Sequence, residues 1–258
     1  TVFASTSDLS HTGILKCAAD VAQAVGDSAI KFSVNLTESI APNIHPIKVL
    51  GTTADMKYKR DLLYSACDTA KAYDEKIAQV VGNLVCVDHN ILVANSEGLL
   101  TTNRSVRTRM AVSAIASANG ENQDGSCAPG RGMGLEMFDL IKPEDIGRRA
   151  AEQAMTNLNA GYCPAGKMTV AIENAFGGVI FHEACGHSLE ATSVGVGLSQ
   201  MAGKLGQKIA NEKVTAIDDG TIPNAWGSFN IDDEGNPSQK KILIENGILK
   251  SYMIDKLN

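Results

Sequence analysis

Arg104-Ser105-Val106-Arg107-Thr108-Arg109-Met110-Ala111-Val112-Ser113-Ala114 alternates along the chain, and that alternation decides the fold class. Val106, Thr108, Met110, Val112 and Ala114 fall on one side of an extended backbone, while Arg107, Arg109 and Ser113 fall on the other. Successive side chains of a strand point to opposite faces, so residues 104–118 read as a half-buried strand of an antiparallel sheet. Upstream, residues 84–88 and 91–94 read as a strand pair with His89 in the turn between them, followed by a turn at Asn95-Ser96-Glu97-Gly98.

Helices flank this sheet on both sides in sequence. Residues 8–25 place Ile14, Ala18, Val21, Ala22 and Val25 at helical spacing and stop at Gly26. Residues 60–81 place Leu63, Ala66, Ala70, Tyr73, Ile77 and Val80 on one face, which predicts a second helix ended by Gly82. A third starts at Lys142-Pro143-Glu144-Asp145, with proline in its first turn and acidic residues at the positive end of the helix dipole. Its apolar face runs Ile146, Ala150, Ala154, Leu158 and stops at Gly161. Residues 27–59 read as loop with one strand, and His45, between Pro42 and Pro46, as a surface residue. The glycine-rich stretch 119–134 lacks the lysine of a phosphate loop and reads as a connector or a kinked strand pair.

Tyr162-Cys163-Pro164-Ala165-Gly166 reads as a linker, and Met168–Ile172 beyond it as a strand. Short strands then follow, punctuated by the turn signals Asp218-Asp219-Gly220, Asp232-Asp233-Glu234-Gly235 and Glu245-Asn246-Gly247. The expected architecture is α+β in two parts. Residues 1–163 carry N-terminal helices on an antiparallel sheet; residues 164–258 form a mostly β catalytic region with one motif helix.

That motif is Phe181-His182-Glu183-Ala184-Cys185-Gly186-His187-Ser188-Leu189-Glu190. Neutral imidazole suits zinc, and a carboxylate beside a metal-held water can take its proton. Two His five positions apart lie roughly 140° apart on an ideal α-helix. They converge on one ion only where the helix widens, as in a single π-type turn, and Gly186 eases such a distortion. His182 and His187 are therefore candidate metal ligands and Glu183 the candidate catalytic base. The structural alternative is two His bonded to backbone with Glu183 in solvent. Glu190, Cys185 and His89 are the candidates for a third ligand, with a role for Glu190 behind His187 an equal alternative.

Residues 177–191 around this motif resemble the signature of the TldD/PmbA family of metalloproteases, on the catalytic TldD side. Asp218-Asp219-Gly220-Thr221, Trp226-Gly227-Ser228, Asp232-Asp233-Glu234-Gly235, the stretch 243–249 and the closing residues 252–258 extend the resemblance in order. It implies a zinc peptidase acting on unfolded or extended peptides in a closed cavity, working as a homodimer or as a heterodimer with a PmbA-like subunit. It also implies sequence beyond both ends of the chain. The third zinc ligand of the family is a cysteine nearer the C-terminus, and no Cys follows Cys185 here, so the site in this chain is expected to be weakened. Where the family has an acid, this chain has Thr192. The alternative readings are a non-catalytic peptide-binding or scaffold subunit of such a complex and, more weakly, a metal-dependent amidase on small molecules.

Composition sets the outer limits. The 258 residues, 44% hydrophobic with a net charge of −6, suit a globular protein and argue against nucleic acid as partner. Six cysteines at 17, 67, 86, 127, 163 and 185 lack C-x-x-C spacing, which predicts free thiols and a cytoplasmic location. No apolar run approaches the ~20 residues of a membrane span.

Overall fold

The computed structural model describes residues 2–26, 33–174 and 177–256. Its centre is β3 (Leu99–Ala118), which pairs antiparallel along nearly its whole length with β2 (Ile77–Ala94). On its other edge β3 pairs with β4 (Glu121–Cys127), then β5 (Gly130–Arg131), and in parallel with β1 (Thr37–Glu38). The alternation expected for β3 holds: Val106, Thr108, Met110, Val112, Ala114 and Ala116 are all buried. The glycine-rich stretch becomes β4 and β5, the kinked strand pair of the two readings.

Two helices cover the buried face. Helix α2 (Met56–Lys71) starts at Asp55, whose carboxylate accepts from the Lys57 N–H at 2.6 Å, and α4 (Pro143–Asn159) starts with Pro143 in its first turn. Ala66, Ala70, Ile146, Ala150 and Ala154 join Ile77, Met110 and Met137 in one core. Small residues let backbones approach closely. A β-carbon at Gly147 would lie 1.9 Å from the Ala66 carbonyl oxygen, and one at Gly125 would lie 2.3 Å from the Ala154 nitrogen. The short α3 (Met137–Leu140) packs Met137 and Phe138 into the same core. Helix α1 (His11–Val25) forms where expected but buries only Gly13; Ile14, Leu15 and Val25 are exposed.

Several expected boundaries move, each for a visible reason. The helix read over residues 60–81 stops at Lys71. The Asp74 carboxylate accepts from the Lys76 N–H and the Asp74 carbonyl from the Ile77 N–H, a turn that ends the helix. Ile77 and Val80 therefore sit on β2. No turn breaks β2 at His89 either: His89 pairs with Ser105 in mid-strand. Asp88 and Arg104 form a two-point ion pair (2.7 and 2.8 Å) one position away that spans the polar stretch. The turn at residues 95–98 forms, with the Asn95 side chain accepting from the Glu97 and Leu99 N–H groups. Residues 168–172 are not a strand. Val170 and Ile172 suit one, but no neighbouring chain pairs with them among the described residues, and both are exposed.

His45 is also misplaced by the sequence reading: it is 7% exposed rather than on the surface. The segment that carries it is fixed by Glu136, another residue with no sequence signal. The Glu136 carboxylate accepts from the N–H groups of Lys48, Val49 and Gly134 at 2.9–3.1 Å. Burial acts to raise its pKa, but these amides together with Glu136's own N–H outweigh it and hold the carboxyl below its ordinary 4.5.

The second half is organised on a smaller sheet, β6 (Ala216–Asp219), β7 (Lys240–Glu245) and β8 (Ile248–Leu249), in that order. Asn246 and Gly247, both at positive φ, make the β7–β8 turn. No helix among the described residues is long and apolar enough to cross a membrane. All six cysteines are free thiols.

Two stability predictions follow from these contacts. Gly147→Val should lower unfolding free energy by at least the ~1–3 kcal/mol of overpacking, read as a shifted urea midpoint with unchanged slope. Glu136→Gln should remove part of the acid sensitivity. A depressed carboxyl contributes stability above its unfolded pKa and loses it as pH falls, so the variant's stability curve should flatten below about pH 4.5.

Candidate metal centre

The helix carrying the His-Glu motif begins as α5 (Gly178–Phe181), widens to a π turn over His182–Gly186, and tightens to a 3-10 turn over His187–Leu189. The wide turn required by the five-residue spacing is therefore present. It turns the imidazoles of His182 and His187 toward each other, with ring centroids 4.3 Å apart and planes inclined by 64°. Glu183 joins them. One ligand atom from each of His182, Glu183 and His187 lies within 4.8 Å of the others, the one such trio of metal-ligating side chains among the described residues.

Glu190 sits behind His187. Its carboxylate lies 2.8 Å from Nδ1. An ionised carboxylate only accepts, so Nδ1 carries the proton of that contact, and Nε2 is the ring nitrogen on the side where Glu183 Oε2 stands 3.9 Å away. This is the carboxylate–imidazole pairing that orients metal-binding histidines elsewhere. Cys185 and His89 do not join the trio, and His89 lies in mid-strand on β2.

The site is exposed, but its base is anchored. Leu189 is fully buried against Met201, Leu243, Ile244 and Leu249. Just past it, the Met253 N–H donates to the Leu189 carbonyl, and the Ala191 N–H donates to the Met253 carbonyl. The helix exit is thereby stitched to residues 252–253, and α6 (Ala191–Gly195), which carries Thr192, follows. The donor set of two imidazoles and a carboxylate matches the nitrogen and oxygen preference of zinc.

Residues 165–258 match the profile of the PmbA/TldA metallopeptidase C-terminal domain, and residues 52–158 match that of the central domain. The chain belongs to the TldD/PmbA family. It is 38% identical over 205 residues to the metalloprotease TldD homolog of Haemophilus influenzae, covering 78% of this chain and 42% of that protein. Against the TldD homolog of Buchnera aphidicola from Acyrthosiphon pisum it is 36% identical over 228 residues, covering 86% and 46%. The chain thus spans less than half the length of these TldD relatives. Among solved structures it resembles TldE from Thermococcus kodakarensis (TM-score 0.66, 22% identity, 95% of this chain and 54% of that one). It also resembles a protein of Bacteroides thetaiotaomicron described as a candidate modulator of DNA gyrase (TM-score 0.80, 18% identity, 98% and 58%). At these identities the likeness is one of fold.

Because Leu189 ties the motif to the smaller core, Leu189→Ala should cost about 2–5 kcal/mol. Hydrogen exchange of the amides of residues 186–191 should speed up more than that of β3; equal acceleration would show that the motif has no local anchor.

Proposed function

We propose that this chain contributes the catalytic zinc site of a TldD-type metallopeptidase, with His182 and His187 as ligands and Glu183 as general base and acid. The observation that supports it is the π turn, which turns two imidazoles five positions apart toward each other with a carboxylate alongside. A structural His pair has no need of so costly a turn, and π turns cluster at functional sites. When bound, zinc supplies Lewis acidity toward a peptide carbonyl and toward water. Glu183, on the Nε2 side of His187, takes the proton of the attacking water and hands it to the leaving amine. Glu190 holds His187 in the tautomer that offers Nε2.

The third protein ligand, a cysteine in the family pattern, belongs on this reading to sequence beyond the present chain. Thr192, where the family has an acid, leaves this charge arrangement altered. The substrate class we infer is an unfolded or extended peptide. Strand β6 pairs on one side only among the described residues, and an extended backbone can add to such an edge without demanding one sequence. A two-part organisation divided near residue 163, a cytoplasmic setting consistent with six free thiols, and a homodimer or a PmbA-like partner belong to the same proposal. The likeness to TldE is compatible with such a partner.

The deciding experiment uses the full-length protein and its Glu183→Gln variant. Zinc content should be unchanged while cleavage of an unfolded protein substrate falls by about 10²–10⁴-fold. A protein that shows no cleavage, and no difference between the two forms, would be a peptide-binding scaffold instead; equal measurable turnover in both forms would remove Glu183 from the chemistry. Peptides locked into helix by cross-links should resist cleavage relative to their uncrosslinked forms.

A further inference from the structure

The loop between β6 and β7 lies against the larger sheet along a polar seam. The Asn224 N–H donates to His45 Nδ1 at 3.0 Å, and the Asn224 side-chain amide donates to the Gly132 carbonyl at 2.9 Å. The Gly132 N–H returns a bond to the Asn224 carbonyl at 3.0 Å. Asn230 accepts from the Ile44 N–H (2.9 Å) and donates to the side chains of Asn103 (2.8 Å) and Asn43 (3.3 Å). Trp226 lies flat on Gly130, where a β-carbon would sit 2.4 Å from its ring. Arg107 and Arg109 stand 5.7 and 6.0 Å from its ring centre.

His45 is the one titratable side chain among these hydrogen-bonding partners, and the site chemistry above makes no use of it. It is 93% buried by its 7% exposure, and its second nitrogen, Nε2, is buried without a protein partner. Since Nδ1 accepts from an amide N–H, the ring is neutral with its proton on Nε2. Protonating Nδ1 would set a donor against the Asn224 donor and place a charge in a pocket that already holds cations. The charged groups lining that pocket are Arg107 and Arg104, both from β3, and Arg104 is paired with Asp88. The loop brings only the neutral Asn224, Ser228 and Asn230, and the stretch after β5 brings Gly132. Among the described residues, no carboxylate lines it to offset a second charge.

We propose that His45 is a proton-sensitive latch: neutral, it fastens the 220–230 loop of the smaller unit to the larger sheet, and protonated, it releases it. The neighbouring backbone is built to hold it, because Glu136 fixes Lys48 and Val49 just downstream. Burial, and secondarily Arg107, keep the ring's pKa below the ordinary 6.5. The sign follows. Above pH 6.5 the open and closed forms are both neutral and the latch is at full strength. As pH falls below 6.5 the open form gains a proton that the closed form does not. The open-to-closed ratio then rises by up to about tenfold per pH unit until the closed form's own pKa is reached. The latch is independent of whether the His-Glu site cleaves peptides.

Trp226 is the single tryptophan of the chain and sits in the seam, so its emission reports the latch directly. On lowering pH stepwise from 7, emission should shift to the red, and the His45 ring should titrate over the same interval, below pH 6.5, by NMR. His45→Asn places an uncharged acceptor in the position of Nδ1 and should give flat emission over that interval; Trp226→Phe should abolish the signal. A step that persists in His45→Asn, an emission step that does not follow the titration of the His45 ring, or a His45 pKa at or above 6.5 would overturn the proposal. The NMR titration of the unaltered protein decides the matter even if His45→Asn folds poorly.

Discussion

Backbone pairing along β3 is the constraint to which the other parts answer. A strand of 20 residues exposes a donor and an acceptor at nearly every position, and each needs a partner once its surroundings are dry. On one edge β2 supplies them from Leu100 to Ala116, with one irregularity at Ile77–Gln79; on the other, β4, β5 and β1 take separate stretches. With pairing fixed, the two faces have fixed duties. The inward stretch Met110 to Ala116 shares one core with α2 and α4, and Gly147 and Gly125 let α4 approach α2 and β4 closely. The outward row offers Arg107 and Arg109 to Trp226, and in the β6–β7 loop Asn224 donates to the Gly132 carbonyl just past β5 and Asn230 to the Asn103 side chain on β3.

What could be read in the sequence follows from how local each signal is. The alternation in β3 is a property of consecutive residues and was legible outright, as was the 140° separation of His182 and His187 that required a π turn. The end of α2 was not, because Ile77 and Val80 satisfy a helical face and a strand face equally; a single side-chain bond from Asp74 decides between them. The strand expected at residues 168–172 failed for the opposite reason, since β-branched residues propose a strand but only a paired neighbour makes one. His45 and Glu136 were beyond reach. Their burial depends on residues 179 and 88 positions away, and flanking prolines point toward a surface loop that the fold then covers. Glu190 lies between these cases: its spacing from His187 left two roles open, and the 2.8 Å contact to Nδ1 is compatible with only one orientation of that ring.

The two regions differ in how tightly they are built, and chemistry accounts for the difference. The larger core closes on fully buried side chains of both helices and β3. The trio of His182, Glu183 and His187 is exposed, and it inherits its order from Leu189 beneath and from Met253 alongside. On the proposed reading, ligands to a metal must be deprotonated and free to adjust to the ion, so a fixed backbone with open side chains suits capture. The backbone of a π turn cannot relax to an ordinary helix without swinging one imidazole away from the other, and such a rotation would disturb Leu189 in its buried position. The arrangement of the two imidazoles is therefore tied to a leucine outside the trio, in the same smaller core whose β6–β7 loop bonds to His45 and to Asn103 of β3.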